Sequence, residues 1–201
     1  MTQVGRVGKS EPKIRAAEIG DATAIADVYA PYVLNTPVSF EELPPDAGLI
    51  EKRILASIDT HPWLVVEING NVVGYAYAVK HSTRPGYRWT VDASIYLNSE
   101  FCGMGIGRGL YQALVEILRT QGFKSVFAEI VLPNAVSVKL HEAMGFCYIG
   151  THKQIGYKCG QWQDIGYWRL GLTNDSKAPD EPIPFSAFKK SPAFTGIIET
   201  I

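Results

Sequence analysis

Apolar and polar positions change their spacing several times along the chain, and each change marks an element. Ile14 to Ala17 predicts a short strand. After Asp21, a side chain suited to capping, Ala22, Ile25, Ala26, Val28 and Tyr29 recur at helical spacing. TPVSFEELPP breaks that pattern with Pro37, Pro44 and Pro45 and predicts a loop. Leu49, Ile50, Ile54, Leu55 and Ile58 then share one side of a second helix. In WLVVEI-NGN-VVGYAYAVK, Asn69-Gly70 stands between two apolar runs, a strong hairpin signal because both turn residues need positive φ. The loop HSTRPGYR leads into the strand WTVDASIYL. Ile106, Leu110, Leu114, Ile117 and Leu118 mark a long amphipathic helix that stops at Gly122. SVFAEIV predicts a strand buried on both faces, and PNAVSVKLHEAMGF a turn and a short helix ended by Gly145. CYIGTHKQIGYK and DIGYWRLGL predict two late strands joined by CGQWQ. The order is mixed α/β with hairpins, not a regular βαβ alternation.

After Leu172 the pattern shifts again. TNDSKAPDEPIPFSAFKKSPAFTGIIETI carries prolines at 179, 182, 184 and 192 beside Phe185, Phe188, Phe194, Ile197, Ile198 and Ile201. So many large apolar residues do not suit a solvated tail, and the prolines argue against a regular helix or a central strand. The expectation is an extended arm lying on the body or on a neighbouring subunit. The chain then divides into a disordered leader (1–12), one domain (13–172) and the arm (173–201).

Composition narrows the classes. The 201 residues suit one domain, with 46% hydrophobic and 19% charged residues. A formal net charge of -1 offers no field for nucleic acid or an anionic membrane. No apolar run approaches the ~18 residues of a membrane helix. MTQVGRVGKSEP has no apolar h-region, so a disordered leader is expected in place of a secretory signal. Cys102, Cys147 and Cys159 lack CxxC spacing and read as free thiols in a reducing, cytoplasmic setting. The four histidines are scattered, and no metal is expected.

The densest chemical signal is FCGMGIGRGLYQALVEILRTQGF, from Phe101 to Phe123. Glycines at the mouth of a helix commonly turn backbone N–H groups toward an anion. A Walker loop needs a lysine after the glycines, and none follows. The G-x-G-x-x-G fingerprint meets Arg108 or Leu110 at its last position, so it fails as well. What remains is Gly103, Gly105 and Gly107 alternating ahead of a helix, either a pyrophosphate cradle or simply a tight strand-to-helix turn.

This loop resembles the [QR]-x-x-G-x-[GA] loop of the GNAT acetyltransferases, with Cys102 where that family has Gln or Arg. N-A-V-S-V-K-L-H-E-A-M-G-F, from Asn134 to Phe146, is similar to the second GNAT signature. The likeness is stronger to one branch, the phosphinothricin or methionine-sulfoximine N-acetyltransferases. It is carried by PWLVVE, GYAYA, YRWTVDASIYL, QGFKSVFAEIVLPN, LHEAMGF and GYKCGQWQDIGYW, and by the tail ending in ETI. The resemblance runs from about Ile14 to Leu172, plus the tail. It implies the GNAT acyl-CoA fold: an α/β domain with a mixed, mostly antiparallel central sheet flanked by helices. It implies acetyl-CoA as cofactor and a small-molecule amine as acceptor.

The resemblance also assigns residues. Gly103, Met104, Gly105, Ile106, Gly107 and Arg108 would hold the pyrophosphate. Ile95, Tyr96 and Leu97 would pair with pantetheine through backbone groups, and Asn134 would cap a helix and reach the same arm. Asp92, where the branch commonly has Glu, takes the general-base position, with a bridging water favoured by its shorter side chain. A base is needed because an ammonium has no lone pair. A strand residue facing solvent is the alternative. His141 takes the general-acid position, with helix packing as its alternative. Arg84 and Arg88 offer guanidinium forks for a carboxylate or phosphinate, and Ser82 replaces a lysine of some members. Phe40, Tyr77 and Tyr87 match aromatic walls, with ordinary packing as the alternative. Resembling enzymes are dimers, so a homodimer is expected. Two other functions stay open: transfer to a polyamine, an antibiotic or a protein N-terminus, and a silent CoA-binding sensor.

Overall fold

The computed structural model describes residues 11–173 and 178–200. Most of the expected leader therefore lies outside the described residues. Seven strands form one sheet: β1 (Lys13–Ala16), β2 (Trp63–Ile68), β3 (Asn71–Lys80), β4 (Thr90–Leu97), β5 (Ser125–Leu132), β6 (Cys147–Lys158) and β7 (Gln161–Gly171). Their spatial order is β1-β2-β3-β4-β5-β7-β6. Among these neighbours only β4 and β5 run parallel. The β2–β3 hairpin turns at Asn69 and Gly70, with φ of 54° and 77°, as the Asn-Gly pair required.

Helices cover both faces. α1 (Ala22–Asn35) and α2 (Ala47–Leu55) lie on one face, where Ile25, Val33, Ile50 and Ile54 pack against Trp63, Val65 and Tyr75. α3 (Ile106–Gln121) covers the other, burying Leu110, Leu114, Ile117 and Leu118 completely. The apolar stripe is what docks it, since burial stabilises by about 25 cal/mol per Å² of apolar surface. Gly122, at φ 95°, stops it in the left-handed conformation. Asp21 sits at the N-cap of α1 without a side-chain cap bond; its carboxylate instead grips Arg15 at 2.7 and 2.8 Å. α4 (Ala135–Ala143) follows β5.

The C-terminal segment departs from expectation. It is not extended throughout: α5 (Phe185–Phe188) and α6 (Pro192–Thr200) are helical. Pro192 is no obstacle, because the first turn of a helix has no N–H bond to lose. Phe185, Phe188 and Phe194 join the core beneath α3, at 0%, 4% and 6% exposure. Ile183 N–H donates to Gln121 C=O at 2.8 Å, and Gln121 Nε2 donates to Ile183 C=O at 2.7 Å. Within one chain the arm folds back on its own body. Among the described residues no helix is long and apolar enough to cross a membrane.

Candidate active site

β4 and β5 pair over three rungs, Thr90↔Ser125, Val91↔Val126 and Asp92↔Phe127. Both strands continue, Ala93–Leu97 and Ala128–Leu132, without pairing to one another. A cleft opens there, between Ala93–Tyr96 on one wall and Glu129–Val131 on the other, with Asn134, Ser137 and His141 along it. β3 pairs with β4 only on its far side, so the cleft-facing backbone of Ile95 and Tyr96 has no strand partner. The Leu97 carbonyl is already engaged, accepting from the Tyr32 hydroxyl at 2.5 Å. The Tyr96 ring points away into a cluster with Tyr29, Tyr32 and Tyr75. An extended ligand arm with amide groups fits such a strand edge.

The glycine loop follows β4. Gly103 and Gly105 hold φ of 78° and 83°, a region that favours glycine. A Cβ added to either would meet no atom within 4 Å. The space over both glycines is thus open, as a bound anion requires. Gly105 is the N-cap of α3 and brings no side-chain cap, which leaves the first helical N–H groups of Ile106, Gly107 and Arg108 facing outward. Met104 stands exposed beside them. A Cβ on Gly107 would meet the Ile95 and Leu97 side chains at 3.8 Å, an ordinary packing distance, so α3 lies against β4 at this point. Asn134 caps α4, its Oδ1 accepting from Ser137 N–H at 3.0 Å. The loop, strand edge and cleft together fit a pyrophosphate with a long amide-bearing arm.

Asp92 stands on the last rung of β4–β5, at the apex of this cleft. It is not alone. His81 Nδ1 lies 2.6 Å from its Oδ1, and each side chain is 33% exposed. The imidazole stacks on Phe127, the cross-strand partner of Asp92, at 4.8 Å, and lies 6.0 Å from the Tyr87 ring. Glu129, further along β5, has its carboxyl pushed up by burial and then by the charge of Asp92, with His81 and His152 opposing. Neither His81 nor Glu129 stood out in the sequence. In the observed register Val79 faces Asp92, so His81 lies one diagonal step away on the same sheet face. That register was the missing signal. Glu129 was hidden by the expectation of a strand buried on both faces, whereas its face opens on the cleft.

His141 is 4% exposed, and burial pushes its pKa down. Nδ1–H donates to the Ser137 carbonyl at 2.8 Å, and Nε2 then accepts from the Tyr111 hydroxyl at 3.1 Å. Both ring nitrogens are occupied, and the ring packs edge-on against Tyr111 and Phe146. This arrangement ties α4 to α3; it leaves no nitrogen free for a leaving group.

The two arginines before β4 differ in their engagement. Arg88 Nε donates to both carboxylate oxygens of Glu181 at 2.8 and 2.9 Å, and its guanidinium stacks 3.8 Å over Trp89. It is committed to the C-terminal segment, contrary to the expectation that it meets an acceptor. Arg84 lines a cleft of about 380 Å³ between this loop and Pro182–Pro184, and its guanidinium has no hydrogen-bond partner among the described residues. Tyr77 stacks on Trp63 at 4.2 Å, beside a cavity of about 480 Å³ shared with Tyr29 and Arg53. Phe40 lies against Gly156, where a Cβ would fall 2.6 Å from its ring. Lys158 braces the loop that carries Phe40, donating to the carbonyls of Val33 and Glu41 at 2.7 Å each, and to that of Ser39.

Known proteins resemble this chain in sequence and in fold. Residues 14–166 match the acetyltransferase (GNAT) domain family. The chain is 38% identical to the phosphinothricin N-acetyltransferase of Streptomyces viridochromogenes, over 85% of this chain and 92% of that protein. It is 34% identical to the L-methionine sulfoximine/L-methionine sulfone acetyltransferase of Salmonella typhimurium, over 83% of this chain and 98% of that one. A phosphinothricin acetyltransferase from Sinorhizobium meliloti, solved in complex with acetyl-CoA, superimposes with a TM-score of 0.81 at 33% identity, covering 90% of this chain and 99% of that one.

Proposed function

Because the chain belongs to the GNAT acetyltransferases, we propose that it acetylates the α-amine of a small amino-acid-like acceptor, of the phosphinothricin or methionine sulfoximine kind, at the apex of the β4–β5 cleft. The observation that carries this reading is the parting of β4 from β5 immediately after Asp92. Acetyl-CoA, when bound, supplies the acetyl group as a thioester. Gly103 to Arg108 hold its pyrophosphate through backbone N–H groups and the N-terminus of α3. Ile95 and Tyr96 offer backbone groups to its pantetheine arm, and Asn134 borders the same cleft. Asp92 is the carboxylate of the base that frees the acceptor's lone pair. Asp92 and Glu129 make that end of the cleft acidic, which draws an ammonium inward. His141 positions α4 in place of donating a proton. Arg84 is the cation left for an acceptor carboxylate or phosphinate, and Phe40, Tyr77 and Tyr87 wall the acceptor.

The chain works in the cytoplasm as a homodimer. The free, exposed thiols of Cys102, Cys147 and Cys159 favour a reducing compartment. Tyr148, Ile149, Ile155, Tyr157 and Trp162 are all exposed along the β6–β7 edge, a patch suited to a second copy. The test is free-thiol release from acetyl-CoA across an acceptor panel. Methionine sulfoximine or phosphinothricin turns over and gains its acetyl group on the α-nitrogen. Faster turnover of spermidine than of any α-amino acid overturns the acceptor class.

A further inference from the structure

We propose that His81, held by Asp92, is the side chain that takes the proton from the acceptor's ammonium, so that the base of this enzyme is a His–Asp pair instead of a lone carboxylate. This rests on the reading that the transfer occurs at Asp92. His81 Nδ1 lies 2.6 Å from Asp92 Oδ1. A carboxylate so close fixes Nδ1 as the donor and leaves the lone pair on Nε2. Nε2 has no hydrogen-bond partner among the described residues. One face of the ring packs against Phe127, with centroids 4.8 Å apart and 24° between planes. That places it over the rung where β4 and β5 part. The carboxylate is thereby occupied on the side facing His81, and the imidazole extends its reach by the width of a ring.

The charge pattern agrees. When His81 gains a proton, the imidazolium lies against Asp92 and near Glu129, whose carboxyl feels the charges of both. The pair therefore stabilises the charge that appears during the step. One N–H bond of the ammonium breaks and an H–Nε2 bond forms. The freed nitrogen lone pair then bonds to the acetyl carbon as the C–S bond breaks. The second proton lost from nitrogen ends on the departing thiol, and His81, one-third exposed, releases its proton to solvent. The side chain thus touches the reacting nitrogen, whereas Asp92 orients it.

The experiment measures kcat/KM with L-methionine sulfoximine, and CoA affinity by calorimetry, for His81→Asn, His81→Ala, Asp92→Asn and the double variant H81N/D92N. The pair predicts that H81N loses roughly 10²-fold or more, the usual scale of general-base catalysis, with CoA affinity unchanged. It predicts that the double variant is no slower than D92N alone to within about threefold, since residues acting as a unit are not additive. Free imidazole partly restores H81A. If H81N stays within about threefold of wild type while D92N falls, Asp92 acts alone; the pair is refuted and the site reading stands. Multiplicative losses, or a normal D92N beside a slow H81N, refute the pairing in the same way. If both single variants are near normal, or the wild-type chain acetylates no α-amino acceptor, the proposed site falls with it.

Discussion

Replacing Gly105 with valine separates the anion cradle from the rest of the fold. Gly105 sits at φ 83°, and its absent Cβ would meet no atom within 4 Å. In the free protein the substitution therefore adds backbone strain and no collision, about 1–2 kcal/mol for a residue in the left-handed region. The melting temperature should drop by only a few degrees. In the proposed complex the same side chain stands in the space where the phosphates of CoA approach. Losing two N–H contacts to an anion, at about 1.5–3 kcal/mol each, weakens binding by about 3–6 kcal/mol, or roughly 10²–10⁴-fold. Titration calorimetry with CoA, run beside thermal melts, reads both quantities. A folded Gly105→Val protein that binds CoA as tightly as wild type refutes the cradle.

Three further outcomes follow from separate parts of the molecule. Gly156→Ala puts a Cβ 2.6 Å from the Phe40 ring, so the ring must turn away; acceptor KM should rise about tenfold with CoA affinity unchanged, and an unaltered KM removes Phe40 from the acceptor wall. Phe185→Ala empties a site of 0% exposure and should cost about 3–5 kcal/mol in denaturant unfolding, whereas less than about 1 kcal/mol contradicts an arm packed on its own body. His141 is buried with its pKa pushed down, so its stabilising contribution is fully present above the unfolded value of about 6.5 and is lost as pH falls through the lower folded value. Unfolding free energies from pH 7 to pH 5 should decline less steeply in His141→Gln than in wild type. Equal slopes contradict a neutral, buried His141.

What the sequence disclosed and what it hid follow from the same physics. Local rules revealed the Asn69-Gly70 turn, the stripe of α3 and the positive-φ glycines at its mouth, because each depends on a few adjacent residues. The likeness of YRWTVDASIYL to one branch of the family is what singled out Asp92. Relations across the fold were not visible. His81 meets Asp92 only through the β3–β4 register. Glu129 belongs to a face that is open only because β4 and β5 separate. Arg88 looked like an acceptor ligand beside Asp92, yet Glu181, far along the chain, claims it. The C-terminal segment misled for a local reason: Pro192 counted against a helix that it in fact begins. The fit of Tyr111 against His141 could not be read from either stretch, since it joins α3 to α4.

If transfer takes place where β4 and β5 part, a crystal structure of the full chain with CoA and L-methionine sulfoximine will show both molecules meeting there. The expected result is pyrophosphate on the N–H groups of Gly103 to Arg108, pantetheine along Ile95 and Tyr96, and the CoA sulfur at the Asp92 end of the cleft. The acceptor's α-nitrogen should lie within hydrogen-bond distance of the His81–Asp92 pair. CoA bound away from the glycine loop, or an α-nitrogen remote from Asp92 with the sulfur beside some other carboxylate, would contradict it.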